Sequence, residues 1–236
     1  MFRRISVAVI AVAATVFAAA PADATTTALP HSCAEIRAAL PLAADGKYVL
    51  VTDSHLLPVH CHDMAGTPRE YVTLNAANFA QYTAGGAVPG TDVRTTFTKV
   101  RIDPETLTVD IADLTFATSA GQLNHGSDVV TTMPYGVAMS CDGTASGVGR
   151  IDLTGTAFVL ADTFTVGGYD ALGTATTSPD NRSADLAGGG YCGWISPSPY
   201  YYGPYNPTGE DFRLELDCGP YSTLDVLLGR ACVDLG

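Results

Sequence analysis

The stretch that decides the fold runs from Phe97 to Thr118 and has the sequence FTKVRIDPETLTVDIADLTFAT. Apolar and polar side chains alternate strictly in Val100–Ile102 and again in Leu107–Ile111, and a period of two is typical of half-buried β-strands. Asp103–Glu105, an Asp-Pro-Glu tripeptide between them, favours a turn, because proline presets φ and aspartate hydrogen-bonds back to the chain. A third apolar run begins at Leu114. We therefore expect a small antiparallel meander with one apolar and one polar face.

The composition extends this expectation to the whole chain of 236 residues. Its 24 glycines and 14 prolines favour many short strands joined by turns over a helical bundle. The formal net charge is −12, and lysine and arginine are few and scattered, which argues against a nucleic-acid partner. We expect a mostly β protein with antiparallel sheets, one short N-terminal helix and disulfide staples.

The first residues have the organisation of a secretory signal peptide. Arg3 and Arg4 form a basic start, Ile5–Ala20 is apolar but short for a membrane span, and Ala22–Ala24 fits a small-x-small cleavage site. We expect cleavage after Ala24, a secreted chain and no stable membrane span after cleavage; an uncleaved anchor is the alternative. The chain then divides into a signal peptide at 1–24, a leader at 25–31 and a single domain at 32–236.

Six cysteines are left after cleavage, and an even number in an exported protein predicts three disulfides. Fifteen pairings are possible. Neighbours along the chain favour Cys33–Cys61 and Cys218–Cys232, which leaves Cys141–Cys192. Metal ligation is the weaker alternative, because no Cys-x-x-Cys pair occurs.

Local signals place further elements along the chain. Ser32 is a suitable N-cap for a helix over Cys33–Leu40, which Pro41 would end. Tyr48–Val51 and Leu57–Cys61 favour a hairpin of two strands. Other strands are expected at Arg69–Leu74, Val148–Leu153, Phe158–Val166 and Phe212–Leu216. A loop is expected at 119–132 and a long surface loop at Gly167–Gly190. A last strand or a short helix is expected at Leu224–Leu228.

A family resemblance is carried by segments that follow one another in order: Pro68–Leu74, Asn78–Tyr82, Thr98–Asp103, Asp113–Thr118, Pro134–Ala138, Ile151–Phe158 and Gly189–Gly193. They resemble the GON domain, the module that closes certain secreted metalloproteases with thrombospondin motifs. The opening Ser32–Ile36, with Val59–Met64, is also similar to the start of fibrinogen-type modules, and this implies a bridge between Cys33 and Cys61. The resemblance is strongest over residues 32–195. Cys192 departs from it, standing alone where the family has a cysteine-rich run.

The resemblance brings a zinc metalloendopeptidase into consideration, because the family's module ends zinc proteases. That chemistry needs a His-Glu-x-x-His motif on one helix. None of the five histidines lies in such a motif. The resemblance also covers the appended module and not a protease domain, so we expect no catalytic residues.

Two histidines nevertheless form a candidate metal pair. His60 and His62 flank Cys61 and share one face if this segment is a strand. With Asp63 or His55 nearby they could hold zinc or copper, since imidazole pairs are good ligands for both. The alternative is a solvated face beside a disulfide. We expect no cofactor, and the alternative is a zinc ion bound by His60 and His62.

Two other patterns favour turns over chemistry. The acidic residues of the Asp103–Asp113 stretch lack EF-hand spacing, so we expect turn and capping roles for them, with calcium binding as the alternative. Gly143–Gly147 has one residue too many before its serine for the Gly-x-Ser-x-Gly turn of a nucleophilic serine, so it is interpreted as a turn.

The most unusual composition is that of Ser196–Pro207, which combines prolines with four tyrosines. Tyrosine offers a large contact area with little entropy to lose, so a sugar or wall-polymer ring could stack there. The alternative is that these rings cover the domain's own core. The candidate binding residues are Trp194, Tyr200, Tyr201, Tyr202 and Tyr205.

The absent catalytic motif and the GON resemblance together favour a non-catalytic binding role at the cell surface or in the matrix, with an extracellular protein or glycan as partner. The rival function is a metal-dependent hydrolase, namely a zinc metallopeptidase by family association. A third possibility is a purely structural protein whose ligand is another protein.

Overall fold

The computed structural model describes residues 29–197, 205 and 213–236. The expected signal peptide and most of the leader lie outside these residues. The helices are α1 (Cys33–Ala39) and α2 (Thr223–Leu227). The strands are β1 (Gly46–Val51), β2 (His55–His62), β3 (Arg69–Thr83), β4 (Val93–Asp103), β5 (Thr108–Asp110), β6 (Ala117–Ala120), β7 (Leu123–His125), β8 (Asp128–Val130), β9 (Ala138–Asp152), β10 (Phe158–Leu160), β11 (Phe164–Gly167), β12 (Leu172–Thr177), β13 (Ser183–Pro197), β14 (Arg213–Cys218) and β15 (Val233–Asp234).

The described part of the chain is mostly β, as expected, and its strands form one large, mostly antiparallel sheet. Its main path has the order β10-β14-β5-β4-β3-β9-β13-β11, and a separate hairpin is made by β7 and β8. Away from the main path, β2 pairs with β1, β3 and β15, while β12 pairs with β13 and β6 with β4. One hydrophobic cluster, built from nearly every strand, fills the interior.

The predicted meander is confirmed for its first two strands. Ile102 of β4 faces Val109 of β5, so the alternating residues of both strands bury the same face. The third strand was expected beside β5, and this was wrong. Leu114 lies in a turn that the Ala117 amide closes, and β6 then returns to pair with Arg94–Phe97 of β4. The free edge of β5 is occupied instead by β14, which comes from near the C-terminus.

The N-terminal elements follow the sequence signals closely. Ser32 caps α1 by accepting a hydrogen bond from the Glu35 amide at 3.2 Å, and the helix ends one residue before the expected end. The expected hairpin is confirmed as β1 and β2, with Tyr48 opposite Val59. The strand expected at Arg69–Leu74 is longer, because β3 continues through an irregularity in its pairing with β4 to Thr83.

Two regions interpreted as irregular contain strands. The expected loop at 119–132 includes the β7–β8 hairpin, and the expected surface loop at Gly167–Gly190 includes β12 and the first half of β13. Most side chains of β12 are exposed, so no burial alternation marks it in the sequence. The segment expected at Leu224–Leu228 lies in the helix α2 (Thr223–Leu227) and its C-cap Leu228, not in a strand, and the helix begins with a capping box between Ser222 and Asp225.

Three disulfides are present, with the pairing that the chain spacing favoured: Cys33–Cys61, Cys141–Cys192 and Cys218–Cys232. The first joins α1 to β2, and the last encloses α2. Within the described residues, no helix is long and apolar enough to cross a membrane.

A buried polar network joins three of the segments that carry the family resemblance. The Asn78 side chain is 2% exposed, and its amide oxygen accepts hydrogen bonds from the Asp152 amide at 2.6 Å and the Tyr135 hydroxyl at 2.8 Å. Its amide nitrogen donates to the carbonyl oxygens of Asp152 and Ala76 at 2.9 and 3.1 Å. Asn78 thus connects β3 to β9 with all of its hydrogen-bonding capacity used.

Candidate functional site

The candidate site is an open groove along one edge of β3. At Tyr71 this strand pairs with both β2 and β4, and from Phe79 onwards it pairs with β4 and β9. Since β4 occupies one edge throughout, β2 and β9 share the other edge and leave a gap between them. The groove lies at this gap, with a volume of about 660 Å³, which is within the range of ligand-binding sites.

Two loops far apart in the sequence complete the groove. The turn that follows β9 contributes Gly155–Phe158, and the Asn75 side chain holds it by donating to the Gly155 carbonyl at 2.8 Å. The chain after α2 contributes Leu228–Arg230. Its path is fixed because the Arg230 amide donates to the Asp225 carbonyl at 2.8 Å, and because β15 then pairs with β2.

The register of three strands places polar groups across the groove. Lys47 of β1 faces His60 of β2, and His60 faces Tyr71 of β3. Paired residues on neighbouring strands point to the same face of a sheet, so these three side chains form a row. This face is opposite to that of the buried Cys61, since successive residues of a strand point to opposite faces.

The groove is basic although the chain is acidic. Its lining includes the side chains of Lys47, His60 and Arg230, and none of its described lining residues is aspartate or glutamate. Lys47 and Arg230 make no ion pair with the described residues, although Asp225 lies near enough to Arg230 to interact electrostatically. The pKa of His60 is lowered, first by burial and then by Lys99, with a nearby aspartate acting in the opposite direction. His60 is therefore mainly neutral at pH 7.

An aromatic cluster forms the floor beside this row. Tyr71 is almost fully buried, and its hydroxyl donates to an Asp113 carboxylate oxygen at 3.2 Å. The Phe116 ring meets Tyr71 edge-on at 4.8 Å between centroids, and the Lys99 ammonium lies 4.4 Å from the centre of the Phe116 ring. Of this cluster, Tyr71 lines the groove, and these contacts hold its ring in place.

The candidate metal pair is only partly assembled. His60 and His62 lie on the same face of β2, but the Nδ1 of His62 is engaged at 2.8 Å with Asp45. The expected approach of His55 is wrong, because His55 pairs with Asp234 at the far end of β2, roughly 17 Å along the strand. The Asp63 carboxylate accepts a hydrogen bond from the Thr67 amide instead.

A catalytic zinc ion needs three protein ligands and an open position. Among the described residues, the one group of three potential ligands within 4.8 Å is His125, Cys141 and Cys192, and its two sulfurs form a disulfide. The donor set around His60 and His62 therefore does not fit a catalytic zinc site. Binding of a metal by these two histidines alone stays a prediction.

Asp45 was missed in the sequence. Its carboxylate accepts hydrogen bonds from the amides of Asp63 and Met64 at 3.0 and 2.8 Å, in addition to the contact with His62. The pairing of Gly46 with Cys61 brings Asp45 to this corner. An Asp-Gly pair at the start of a strand is an ordinary turn signal, and nothing local to it indicates such distant partners.

The candidate aromatic residues divide into two groups. Trp194 is 3% exposed, and Tyr205 is half-buried with its ring 4.5 Å from the His125 ring. For these two residues the positions favour the alternative in which aromatic rings cover the core. Tyr200, Tyr201 and Tyr202 lie outside the described residues, so their role as binding residues stays a prediction.

The two patterns interpreted as turns have local partners. The pairing of β9 with β13 passes directly from Asp142 to Gly147, so 143–146 bulge outward, and Asp142 accepts hydrogen bonds from Thr144 and Ser146. Asp103 accepts two amide hydrogen bonds in the β4–β5 turn. Asp110 forms an ion pair with Arg101 at 3.3 Å.

Comparison with known proteins places these features in a family. A model of the GON domain matches residues 30–87 and 88–202. Among curated proteins, "A disintegrin and metalloproteinase with thrombospondin motifs gon-1" from Caenorhabditis elegans is 29% identical over 206 residues, which is 73% of this chain and 9% of that protein. The chain therefore spans a small fraction of this relative's length. No solved structure matches.

Proposed function

Because this chain belongs to the GON domain family, we propose that it is a non-catalytic binding module that works outside the cell, with an extracellular protein or glycan as its ligand. The observation that supports this most is the basic groove between β2 and β9. It is a preformed concave site whose cationic side chains Lys47 and Arg230 make no ion pair with the described residues. Such sites suit ligand binding, since little conformational entropy is lost when they are filled.

The composition of the groove supports binding over hydrolysis. Its described lining residues include no serine, cysteine, aspartate or glutamate. A histidine that acts as a general base is normally oriented by a third group, usually a carboxylate, and is paired with a nucleophile. His60 instead meets the Phe116 ring edge-on, with 6.1 Å between ring centroids.

The rival function, a zinc metalloendopeptidase, comes from family association and not from residues of this chain, and the printed name of the relative says only that it is a metalloproteinase. The described residues do not provide the donor set of a catalytic zinc site. The sequence also has no His-Glu-x-x-His motif. Neither observation favours peptidase activity, so we do not assign it.

The location outside the cell is supported by two features. The first residues have the basic, apolar and small-residue pattern of a signal peptide. All six cysteines form disulfides, which persist in oxidising compartments and are rare in the cytosol.

The test is a pull-down with the chain from Thr25 onwards against extracellular-matrix and cell-wall preparations. The variant Lys47→Glu/Arg230→Glu reverses both exposed cations of the groove. Arg37→Glu on α1, outside the groove, is a charge-reversal control that changes the net charge by half as much. We expect the unmodified chain and the control to retain bound material and the double variant to lose it. Equal retention by all three chains, or retention by none, would contradict a binding role for the groove.

A further inference from the structure

The helix α2 carries an exposed apolar surface beside the groove. None of its residues is buried, and Leu224, Leu227 and Leu228 are 61%, 77% and 51% exposed. Residues three and four apart are neighbours on a helix, so these three side chains form one patch. Soluble proteins rarely expose such a patch without a function in binding.

The patch is continuous with the groove and is held firmly. Leu228 lines the groove together with Val49 of β1, which is itself 38% exposed. Gly229 packs so closely on Val49 that a side chain at this position would collide with it. The Cys218–Cys232 disulfide encloses α2, so the leucines are presented on a fixed segment and not on a loose tail.

The two surfaces differ in chemistry, and their combination restricts the ligand. Aliphatic side chains offer no partner to the hydroxyl groups of a sugar, whereas sugars stack on exposed aromatic faces. Of the aromatic rings that line the groove, Tyr71 and Phe158 are each 1% exposed and Tyr48 is partly buried against the core, so the accessible apolar surface is mainly aliphatic. The cations Lys47 and Arg230 lie beside this surface and attract carboxylates.

We propose that the ligand of this site is a protein segment that combines acidic and aliphatic side chains. Its aliphatic residues pack on Leu224, Leu227 and Leu228, and its carboxylates reach Lys47 and Arg230. This inference rests on the proposed binding function and narrows its ligand from an extracellular protein or glycan to an acidic peptide. The net charge of −12 supports specificity, because the rest of the surface repels an acidic segment.

The test is selection of a displayed random peptide library on the immobilised chain, followed by affinity measurement of the enriched peptides. Sequences rich in aspartate or glutamate and in leucine, isoleucine or valine are expected. Lys47→Glu/Arg230→Glu should weaken their binding by about tenfold or more, since two charge contacts become repulsive. Leu224→Ser/Leu227→Ser should weaken it to a similar extent, while Arg37→Glu leaves it unchanged. Circular dichroism and thermal unfolding verify that each variant is folded.

Three outcomes would overturn the inference. If the enriched peptides lack acidic residues, or bind the leucine variant as well as the unmodified chain, the assigned ligand is wrong. If no peptide is enriched but a sulfated oligosaccharide binds and Lys47→Glu/Arg230→Glu abolishes that binding, the ligand is a glycan and the proposed binding function stands. If neither probe binds and the pull-down is also empty, both proposals fail.

Discussion

Asn78→Ala should be among the most destabilising single substitutions in this protein, because Asn78 satisfies buried groups on two other segments. Its removal leaves two buried donors, the Asp152 amide and the Tyr135 hydroxyl, without their partner. Each buried donor left unsatisfied costs about 1–3 kcal/mol, so the loss is about 2–6 kcal/mol. That is a large part of the roughly 5–15 kcal/mol that stabilises a typical domain.

Tyr135→Phe is the matched comparison, because it removes one partner of the same network and keeps the ring. Asn78 then still binds the Asp152 amide and carbonyl, so the expected loss is about 1 kcal/mol, the net value of one hydrogen bond. The two losses should not add in the double variant, since Tyr135→Phe removes a donor that Asn78→Ala would leave unsatisfied.

The assay is urea unfolding at neutral pH with the disulfides intact, followed by circular dichroism and fitted for each variant. The expected order of stability is unmodified chain, Tyr135→Phe, then Asn78→Ala. An Asn78→Ala chain as stable as the Tyr135→Phe chain, with an unchanged urea slope, would refute the reasoning. The network would then contribute no more than the single hydrogen bond between Tyr135 and Asn78.

Three further predictions concern other parts of the fold. Backbone hydrogen bonds are the main cause of the lowered pKa of Asp45. The ionised Asp45 therefore stabilises the protein above its ordinary pKa near 3.8, and this stabilisation is lost as pH falls through the lower pKa of the folded state. Asp45→Asn should accordingly shift urea midpoints at pH 7 but not in strong acid. Gly188→Ala should destabilise the folded protein by about 1–3 kcal/mol, because the added methyl carbon collides with backbone atoms. Gly86→Ala places the same carbon in open space and is the control, and both variants are compared by thermal unfolding. Replacing Cys218 and Cys232 together by serine opens a loop with a sequence separation of 14 and should cost about 3 kcal/mol in urea unfolding; a loss below about 1 kcal/mol would contradict this.

Periodicity predicted the elements that have one buried face. The strand β4 from Val100 onwards and the strand β5 alternate cleanly, and Ser32 marks the start of α1, so these positions were available from the sequence. The strands β7 and β12 were not, because they are short and carry few buried side chains. Each pairs with the strand that follows it in the chain, β7 with β8 and β12 with β13, through backbone hydrogen bonds that leave no side-chain pattern.

The candidate site was less predictable than the fold. The sequence placed His60 and His62 on one face of a strand, which is confirmed. It did not indicate the groove, because Lys47 and Arg230 come from opposite ends of the domain and meet only through the pairing of β15 with β2. The apolar run at Leu224–Leu228 resembles a core segment, and only the structure reveals that α2 is exposed.

The three disulfides close segments that neither overlap nor enclose one another, with sequence separations of 28, 51 and 14. In a chain that crosses a membrane from its N-terminus onwards, each cysteine would therefore meet its partner before the next pair emerges. No thiol would have to wait unpaired while a later segment arrives. Such an order keeps mispaired intermediates few and lets maturation proceed stepwise with export.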